Sequence, residues 1–258
     1  MNSKTYALIT GASSGIGAEF ARRLAARGYA LILVARREKR LRQLAAHVKT
    51  ECEIITADLT RTEECYRVWE QIKDKRIEVF INNAGFGDCS EFLNSDEKKE
   101  LDMIRLNVEA MHLLMKLVLR QMQQRDYGYI LNVASSAGLL PAGPYMATYY
   151  ATKAYVTSLT RAVAEELREM GSKVYVGCLC PGPVDTEFNR VANVEFALKG
   201  IRPGECASYA LKQMAKRQVV IVPTATLKAL TVFERFVPRK LLVHLIGKQQ
   251  RTKLYGNK

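Results

Sequence analysis

Tyr149 and Lys153 stand four residues apart in a stretch with helical periodicity, so one helix face would carry a phenol and an ammonium together. A tyrosine hydroxyl has a reference pKa of ~10 and gives up its proton reluctantly at neutral pH. An ammonium about 5 Å away, at an effective dielectric near 20, would stabilise the phenolate by on the order of 3 kcal/mol, or roughly two pKa units. Such a pair could exchange a proton with a carbonyl or hydroxyl oxygen, although the spacing also arises by chance.

A second group of residues is suited to binding phosphate. The segment Thr10-Gly-Ala-Ser-Ser-Gly-Ile-Gly17 joins a short apolar run to a helix. Its backbone N–H groups and the helix N-terminus would both favour an anion, which predicts a dinucleotide, although such glycines also serve plain turns. The expected contacts are Gly11, Ser13, Ser14, Gly15, Ile16 and Gly17.

The end of the next apolar run favours a phosphorylated dinucleotide. The sequence there is Val34-Ala-Arg-Arg37, with no acid before Glu38. An acid at this point would bind a ribose hydroxyl and repel a 2′-phosphate, whereas the guanidinium of Arg36 can bind that phosphate. Arg36, with Ser13 nearby, therefore predicts NADP(H) as the cofactor, and a solvated basic turn is the plainer alternative.

The elements that would position these groups alternate along the chain. Runs rich in Val, Ile and Leu predict buried parallel strands at 6–10, 30–34, 52–56, 79–81, 129–133, 174–178 and 219–222. Helical periodicity predicts helices that include 16–27, 37–49, 63–73, 97–123, 148–170 and 204–216. Together they predict an α/β fold, a single Rossmann-type, doubly wound parallel sheet with helices on both faces. Residues 1–223 would form the NADP(H)-binding and catalytic domain, and 224–258 a C-terminal extension.

Further polar motifs follow in order, namely Asn82-Asn-Ala-Gly85, Asn107 within the long helical stretch, Asn132-Val-Ala-Ser135 and Tyr149-x-x-x-Lys153. With the glycine loop they resemble the short-chain dehydrogenase/reductase family over nearly all of the chain up to about residue 223. The resemblance implies hydride transfer between a nicotinamide and a carbonyl or alcohol.

The resemblance also implies a role for each catalytic group. Tyr149 would protonate the carbonyl oxygen in reduction or take the hydroxyl proton in oxidation, while Lys153 would lower the pKa of Tyr149 and hold the nicotinamide ribose. Ser135 would hydrogen-bond the substrate oxygen, and Asn107 would complete a proton relay through water. Asn107 is also a poor mid-helix residue, which suggests that it kinks the helix or serves a site.

The serine assignment has a rival. The family serine usually precedes the tyrosine by thirteen residues, but Ser135 precedes Tyr149 by fourteen, and Ser136 stands at thirteen. Ser135 is preferred because it keeps the frame of the preceding motif, and Tyr150, the rival phenol, breaks the spacing to Lys153. By matching motif, the remaining cofactor contacts would be Asp58, Leu59, Asn83, Ala84, Gly85, Pro181, Gly182, Val184 and Thr186.

The C-terminal extension carries much of the positive charge. Of a net charge of +13, residues 224–258 contribute +7, from eight Lys or Arg against one Glu. Apolar residues recur there every three or four positions, which predicts amphipathic helices interrupted near Pro238. Such a segment could lie on an anionic membrane surface, cover the substrate pocket or pack against another subunit; docking on the protein's own body or a partner subunit is favoured. Nucleic acid is not expected, because aromatic residues are not interleaved with the charges.

The cysteines and histidines predict no metal site. The six cysteines and three histidines match no metal-ligand or disulfide spacing, which favours reduced thiols and a cytoplasmic protein. No leader and no bilayer-spanning stretch is apparent. Because the family usually forms dimers or tetramers, a homodimer or homotetramer is expected.

These observations favour an NADP(H)-dependent oxidoreductase acting on a carbonyl or secondary alcohol. The alternatives are a catalytically silent NADP(H)-binding sensor or scaffold, and a basic adaptor on a membrane or nucleic acid. The long connection over residues 181–202 is a candidate substrate lid. A lipophilic substrate is expected, since the segments that would border the pocket contain Phe86, Met103, Tyr145, Met146, Phe188 and Phe196.

Overall fold

In the computed structural model, which describes residues 4–192 and 200–255, seven strands form one parallel sheet in the order β3-β2-β1-β4-β5-β6-β7. The strands are β1 (Tyr6–Thr10), β2 (Ala30–Ala35), β3 (Cys52–Thr56), β4 (Ile77–Asn82), β5 (Gly128–Val133), β6 (Val174–Leu179) and β7 (Val220–Ile221). β2 and β6 are buried along their whole length, as expected for strands covered on both faces.

Helices cover both faces of this sheet. The described helices are α1 (Gly15–Ala25), α2 (Glu38–His47), α3 (Thr62–Ile72), α4 (Glu97–Ile104), α5 (Met111–Gln123), α6 (Ala147–Glu169), α7 (Phe188–Val191), α8 (Pro203–Ala215), α9 (Ala225–Phe233) and α10 (Arg239–Tyr255). Side chains of α1, α2 and α8 pack on one face of the sheet, and those of α3, α5 and α6 pack on the other. The predicted α/β fold, a Rossmann-type doubly wound sheet, is confirmed.

The strand order reverses at β1, which pairs with β2 on one side and with β4 on the other. Loops leaving the carboxyl ends of β1 and β4 therefore run to opposite faces and leave a crevice between them. The predicted phosphate loop and the Asn82-to-Gly85 motif both lie at this crevice, because they follow β1 and β4 directly.

One helical segment differs from expectation, and the C-terminal segment agrees with it. The single helix predicted over 97–123 is divided into α4 and α5 by a π-helical turn at Arg105–Ala110. The C-terminal segment forms α9, a 3₁₀ turn (Glu234–Phe236) and α10, with Pro238 just before α10, so the predicted interruption lies where expected. Among the described residues, no helix is both long enough and apolar enough to cross a bilayer.

Candidate active site

Tyr149 lies in the first turns of α6, with its phenol at the bottom of a large cavity. The residue is 8% exposed, and the ring of Phe188 covers it at a centroid distance of 5.5 Å. Ser135, just beyond β5, lines the same cavity and lies near enough to the Tyr149 phenol for its hydroxyl to affect the pKa of that group. Ser136 also lines the cavity, but its backbone begins a 3₁₀ turn and donates to Pro181 O at 2.8 Å. The structure thus brings Ser135 to the phenol.

Lys153 lies one turn after Tyr149 on the same face of α6 and is 5% exposed. Its Nζ donates to the carbonyl oxygen of Val133 at 2.9 Å and lies 5.8 Å from the centroid of the Tyr149 ring. The chain leaves little room around this ammonium. A Cβ added to Gly85 would lie 3.3 Å from Lys153 Nζ and 2.8 Å from Asn107 Oδ1, so the glycine allows a close approach.

Burial determines the proton affinities of both groups. Burial raises the pKa of Tyr149 well above its usual value, against the smaller lowering effect of the Ser135 hydroxyl. Burial also lowers the pKa of Lys153 to about 8. Loss of hydration is thus the largest influence on Tyr149, and the expected lowering of its pKa by Lys153 stays a prediction. Tyr149 is therefore a proton donor at neutral pH.

Asn107 lies in the π-helical turn and is 1% exposed. Its Nδ2 donates to Phe86 O at 2.8 Å and to Thr152 Oγ1 at 3.1 Å, while its Oδ1 accepts from Phe86 N at 3.1 Å. The side chain therefore fixes the backbone at Phe86 on the cavity wall and joins it to α6. The asparagine is tolerated here because the helix is already irregular at this turn. Such π-helical turns often occur at functional sites. A proton relay would have to use atoms other than this occupied amide.

The glycine loop after β1 adopts backbone angles and close contacts that residues with a side chain would not tolerate. Gly11 has φ +64° and Gly15 φ +55°, which favour glycine. Gly17 has no room for a side chain, since an added Cβ would lie 2.4 Å from Gly11 O. Asn83 Nδ2 donates to Thr10 O at 2.9 Å, so this predicted cofactor residue lines the cavity and also ties the end of β4 to the loop.

The N-terminus of α1 is suited to an anion. α1 begins at Gly15, its first turn contains no acid, and Ser14 makes no side-chain cap. Its first backbone N–H groups have no intrahelical partner, and the helix dipole favours negative charge there. Ser13, Ser14, Gly15 and Ile16 all line the cavity.

The basic turn after β2 contains a residue that the sequence reasoning missed. Arg36 is exposed at the cavity edge and, among the described residues, forms no side-chain hydrogen bond or ion pair. Arg37 instead reaches the glycine loop, where Nη2 donates to Ser13 Oγ at 3.1 Å and to Ser14 Oγ at 2.7 Å. A tandem arginine pair was visible in the sequence, but nothing indicated which member would turn inward.

Glu187, beyond β6, is bound to the same turn. Its Oε2 accepts from Arg37 Nη1 at 2.8 Å and its Oε1 from Arg40 Nη1 at 2.5 Å. The hydrogen bonds from Arg37 and then Arg40 lower the pKa of Glu187 to about 2. A carboxylate therefore sits between two guanidiniums close to the Ser13 and Ser14 hydroxyls, which shows that this corner of the cavity can hold an anion.

The remaining predicted cofactor residues surround the same cavity. Asp58 Oδ1 accepts from Thr60 N at 3.2 Å, which shapes the turn after β3. The segment after β6 approaches the glycine loop closely, because a Cβ added to Gly15 would lie 3.1 Å from Thr186 Cγ2. Further cavity-lining positions among the predictions are Leu59, Ala84, Pro181, Gly182 and Val184. All the predicted cofactor contacts therefore line the cavity except Gly17, which lies behind the cavity wall and shapes the glycine loop.

The cavity has a volume of about 790 Å³ and extends from the glycine loop to the C-terminal helices. Of the residues predicted to border a substrate pocket, Phe86, Met146 and Phe188 line it, Met103 and Tyr145 line a small adjoining pocket, and Phe196 lies outside the described residues. A further wall is supplied by α9 and α10, which agrees with one of the alternatives for the tail, that it covers the substrate pocket. Lining residues there include Leu227, Leu230, Phe233, Val237, Leu242, Leu245 and Ile246.

One further observation concerns the wall of the cavity. Gln250 of α10 is 2% exposed and donates through Nε2 to the Tyr150 hydroxyl at 2.7 Å, so the tail is hydrogen-bonded to Tyr150.

In residues 4–192 and 200–255, no group of three His, Cys, Asp or Glu side chains is arranged to hold a metal ion.

The sequence is similar to a known protein family and to individual proteins from other organisms. The family model described as short chain dehydrogenase matches residues 5–195. The "Very-long-chain 3-oxoacyl-CoA reductase" of Anas platyrhynchos is 32% identical over 200 residues, which are 74% of this chain and 63% of that protein. The "Inactive hydroxysteroid dehydrogenase-like protein 1" of Homo sapiens is 33% identical over 195 residues, 73% of this chain and 58% of that protein. Both matches thus span less than two-thirds of the relative's length.

Among solved structures, a short-chain dehydrogenase from Sphingobium yanoikuyae in complex with NADPH is similar to this chain with a TM-score of 0.81 and 33% identity. The match covers 90% of this chain and 94% of that one. The likeness therefore includes both the sheet and most of the segments that surround the cavity.

Proposed function

The chain belongs to the short-chain dehydrogenase family of oxidoreductases, and from its site we propose that it is an NADP(H)-dependent reductase of lipophilic carbonyl compounds. The observation that carries this proposal is the buried Tyr149 phenol, one helical turn from Lys153, in a cavity that Ser135 also lines. A protein that only bound a dinucleotide would have no chemical need for a buried proton donor beside a second hydroxyl.

The proposed proton chemistry follows from the positions of three side chains. A substrate carbonyl oxygen would accept hydrogen bonds from the Tyr149 and Ser135 hydroxyls, which stabilise the negative charge that develops there. A bound dinucleotide would supply the hydride to the carbonyl carbon, and Tyr149 Oη would give its proton to the carbonyl oxygen. Lys153 Nζ, one helical turn away, would stabilise the resulting phenolate and hold a ribose hydroxyl. Since burial raises the pKa of Tyr149, the phenol is protonated at neutral pH and is suited to donate in the reducing direction.

The site fits a nicotinamide dinucleotide with a 2′-phosphate. The N-terminus of α1 suits the pyrophosphate, and Gly11 and Gly17 allow the loop that presents it to pack closely on Asn83. Two guanidiniums at the cavity edge support this choice: Arg36, which pairs with no described residue, and Arg37, which reaches the glycine loop. The NADPH complex of the Sphingobium yanoikuyae relative supports the same choice.

The cavity favours a large apolar substrate. Its wall opposite the glycine loop is built from leucine, isoleucine and phenylalanine side chains of α9 and α10, as described above. The similarity to a very-long-chain 3-oxoacyl-CoA reductase supports a carbonyl on a lipophilic chain. We further propose a cytoplasmic homo-oligomer. The cytoplasmic location is supported by six cysteines that are all free thiols, whereas the oligomeric state rests on family resemblance.

Replacement of Tyr149 by Phe tests the proposal. Loss of the proton donor should lower turnover of a lipophilic ketone by roughly two orders of magnitude or more, while the Kd for NADPH stays unchanged. Tyr150→Phe is the matched control, because it removes the neighbouring buried hydroxyl without touching the proposed donor. Cofactor oxidation by absorbance and cofactor binding by fluorescence give the two readouts.

The outcomes separate the enzyme from the silent alternative. Equal turnover in Tyr149→Phe and the unaltered protein would refute the assigned mechanism. Tight NADPH binding without turnover of any ketone in a broad lipophilic panel would favour a sensor or scaffold, a possibility that the similarity to a relative called inactive makes worth testing. Absence of NADPH binding would refute the cofactor assignment.

A further inference from the structure

The C-terminal segment has an inner face that packs on the protein. Ile246 is buried, and Leu242 and Leu254 are partly buried against the cluster that contains Tyr149 and Tyr150. Gln250 is hydrogen-bonded to Tyr150, as described above. α10 is therefore anchored over the cavity by one face, as the sequence predicted for an amphipathic helix that docks on its own body.

The outer face of the same segment is apolar and exposed. Phe236 is 79% exposed and Phe233 68%, and the neighbouring turns add further large side chains that face solvent. Scattered apolar residues are normal on a protein surface, but six within sixteen consecutive residues form a patch of the kind that marks an interaction site. They are Leu230, Val232, Phe233, Phe236, Leu241 and Leu245.

Basic side chains surround this patch and are not neutralised by the protein. Arg239, Lys240 and Lys248 are exposed, and none of them forms an ion pair with the described residues. Leu241, Leu245 and Lys248 recur at helical spacing, so an exposed face of α10 carries apolar and basic groups together. A surface of this composition complements an anionic lipid bilayer, where rings enter the headgroup region and ammonium and guanidinium groups meet lipid phosphates.

The patch is continuous with the wall of the catalytic cavity. Leu230, Phe233 and Leu245 are each about half exposed or more and also line the cavity. These three side chains therefore belong both to the exposed apolar patch of the tail and to the wall of the cavity that contains Tyr149.

We propose that the outer face of residues 225–255 docks on an anionic membrane surface and turns the mouth of the cavity toward the lipid. A lipophilic substrate dissolved in the bilayer would then enter the cavity without crossing water. The route of entry rests on the proposed reductase function, whereas the docking itself does not.

Vesicle sedimentation tests the docking. The full-length protein should sediment with phosphatidylcholine vesicles that contain 30% phosphatidylglycerol and at least about tenfold less with phosphatidylcholine alone. Val232→Ser/Phe236→Ser should weaken partitioning at least about tenfold, because two exposed apolar groups would no longer enter the lipid. Arg239→Gln/Lys240→Gln should weaken it by about 25-fold, since each basic group near an anionic surface contributes roughly fivefold.

Matched controls lie outside the C-terminal segment. Tyr66→Ser/Met170→Ser removes apolar side chains that are 50% and 71% exposed, and Arg27→Gln/Lys49→Gln removes two exposed charges near the amino ends of the strands. Both control pairs should bind vesicles as the unaltered protein does. Thermal unfolding midpoints of all variants should agree within a few degrees, because every substituted side chain is exposed.

Several results would overturn the docking surface. One is an unaltered protein that stays in the supernatant with anionic vesicles, and another is sedimentation that is equal for tail and control variants. The unaltered protein could fail to bind vesicles while Val232→Ser/Phe236→Ser converts an oligomer to a monomer in sedimentation velocity. In that case a second copy of the chain covers the outer face of residues 225–255 instead of lipid. Because sedimentation needs no turnover, a failed reductase assay would leave these results unchanged.

Discussion

Replacing Glu187 by Gln should tighten the binding of NADPH and leave that of NADH nearly unchanged. Glu187 holds Arg37 and Arg40 by two ion pairs, and Arg37 is one of the guanidiniums proposed to bind the 2′-phosphate. A phosphate entering this corner must compete with the carboxylate for the same donors. The substitution removes the competing charge but keeps the size of the side chain.

The structure sets the size of this effect. The three side chains are 31–43% exposed, so each ion pair contributes at most about 1 kcal/mol despite good geometry. Losing one or both pairs to the phosphate would cost about 1–2 kcal/mol, which corresponds to roughly 5- to 30-fold in Kd. Because the pKa of Glu187 is lowered to about 2, its carboxylate stays charged at every pH above about 4, so the competition is present throughout an ordinary assay range.

Fluorescence titration of both cofactors measures the effect directly. Glu187→Gln should lower the Kd for NADPH by about 5- to 30-fold and change that for NADH by less than about twofold. Glu165→Gln is the matched control, since it breaks an exposed ion pair with Arg168 on α6 and should alter neither value. An unchanged NADPH affinity, or equal gains for both cofactors, would refute competition between Glu187 and a 2′-phosphate.

Four further outcomes follow from the site. Arg36→Asp should shift the ratio of dissociation constants from NADPH toward NADH, and an unchanged ratio would remove Arg36 from the cofactor site. Ser135→Ala should lower turnover by roughly tenfold to a hundredfold and Ser136→Ala by much less, which kinetics with one ketone would check. Gly17→Ala should weaken dinucleotide binding at least about tenfold, measured by titration, since its Cβ would meet Gly11 O at 2.4 Å. Burial lowers the pKa of Lys153 to about 8, so between about pH 8 and 10.5 the unfolded chain binds more protons than the folded protein. The free energy of unfolding should therefore rise with pH over that range. In Lys153→Met this rise should be smaller, as measured by denaturant unfolding.

Hydrophobic patterning was sufficient to predict the sheet. The strands at 6–10 and 52–56 lie where expected, and the others differ by one or two residues at their ends. Buried parallel strands leave a strong signal because both faces are apolar. The single helix expected over 97–123 was wrong in one respect, since periodicity over a long window does not resolve one extra residue in a turn.

Side-chain direction was the harder part of the site. The motifs placed Tyr149, Lys153 and Ser135 in one cavity, but spacing alone could not show that Arg37 would reach Ser14 while Arg36 stays free. That choice depends on Glu187, which lies far along the chain. The burial of Tyr149 was also not visible in the motif, because a sequence pair shows the neighbouring charge and not the loss of hydration that raises the pKa of the phenol.

The π-helical turn at Arg105–Ala110 constrains which insertions and deletions the protein can tolerate. Each residue added to a helix rotates everything beyond it by about 100°. The turn sets the phase between α4, which presents Met103 to the cluster around Tyr149, and α5, which presents Leu114 to the core under the sheet. Deleting one residue here would restore a regular helix, yet it would turn one of these faces toward solvent and move Asn107 away from Phe86. The length of this segment is therefore expected to be preserved more strictly than the identity of its exposed residues.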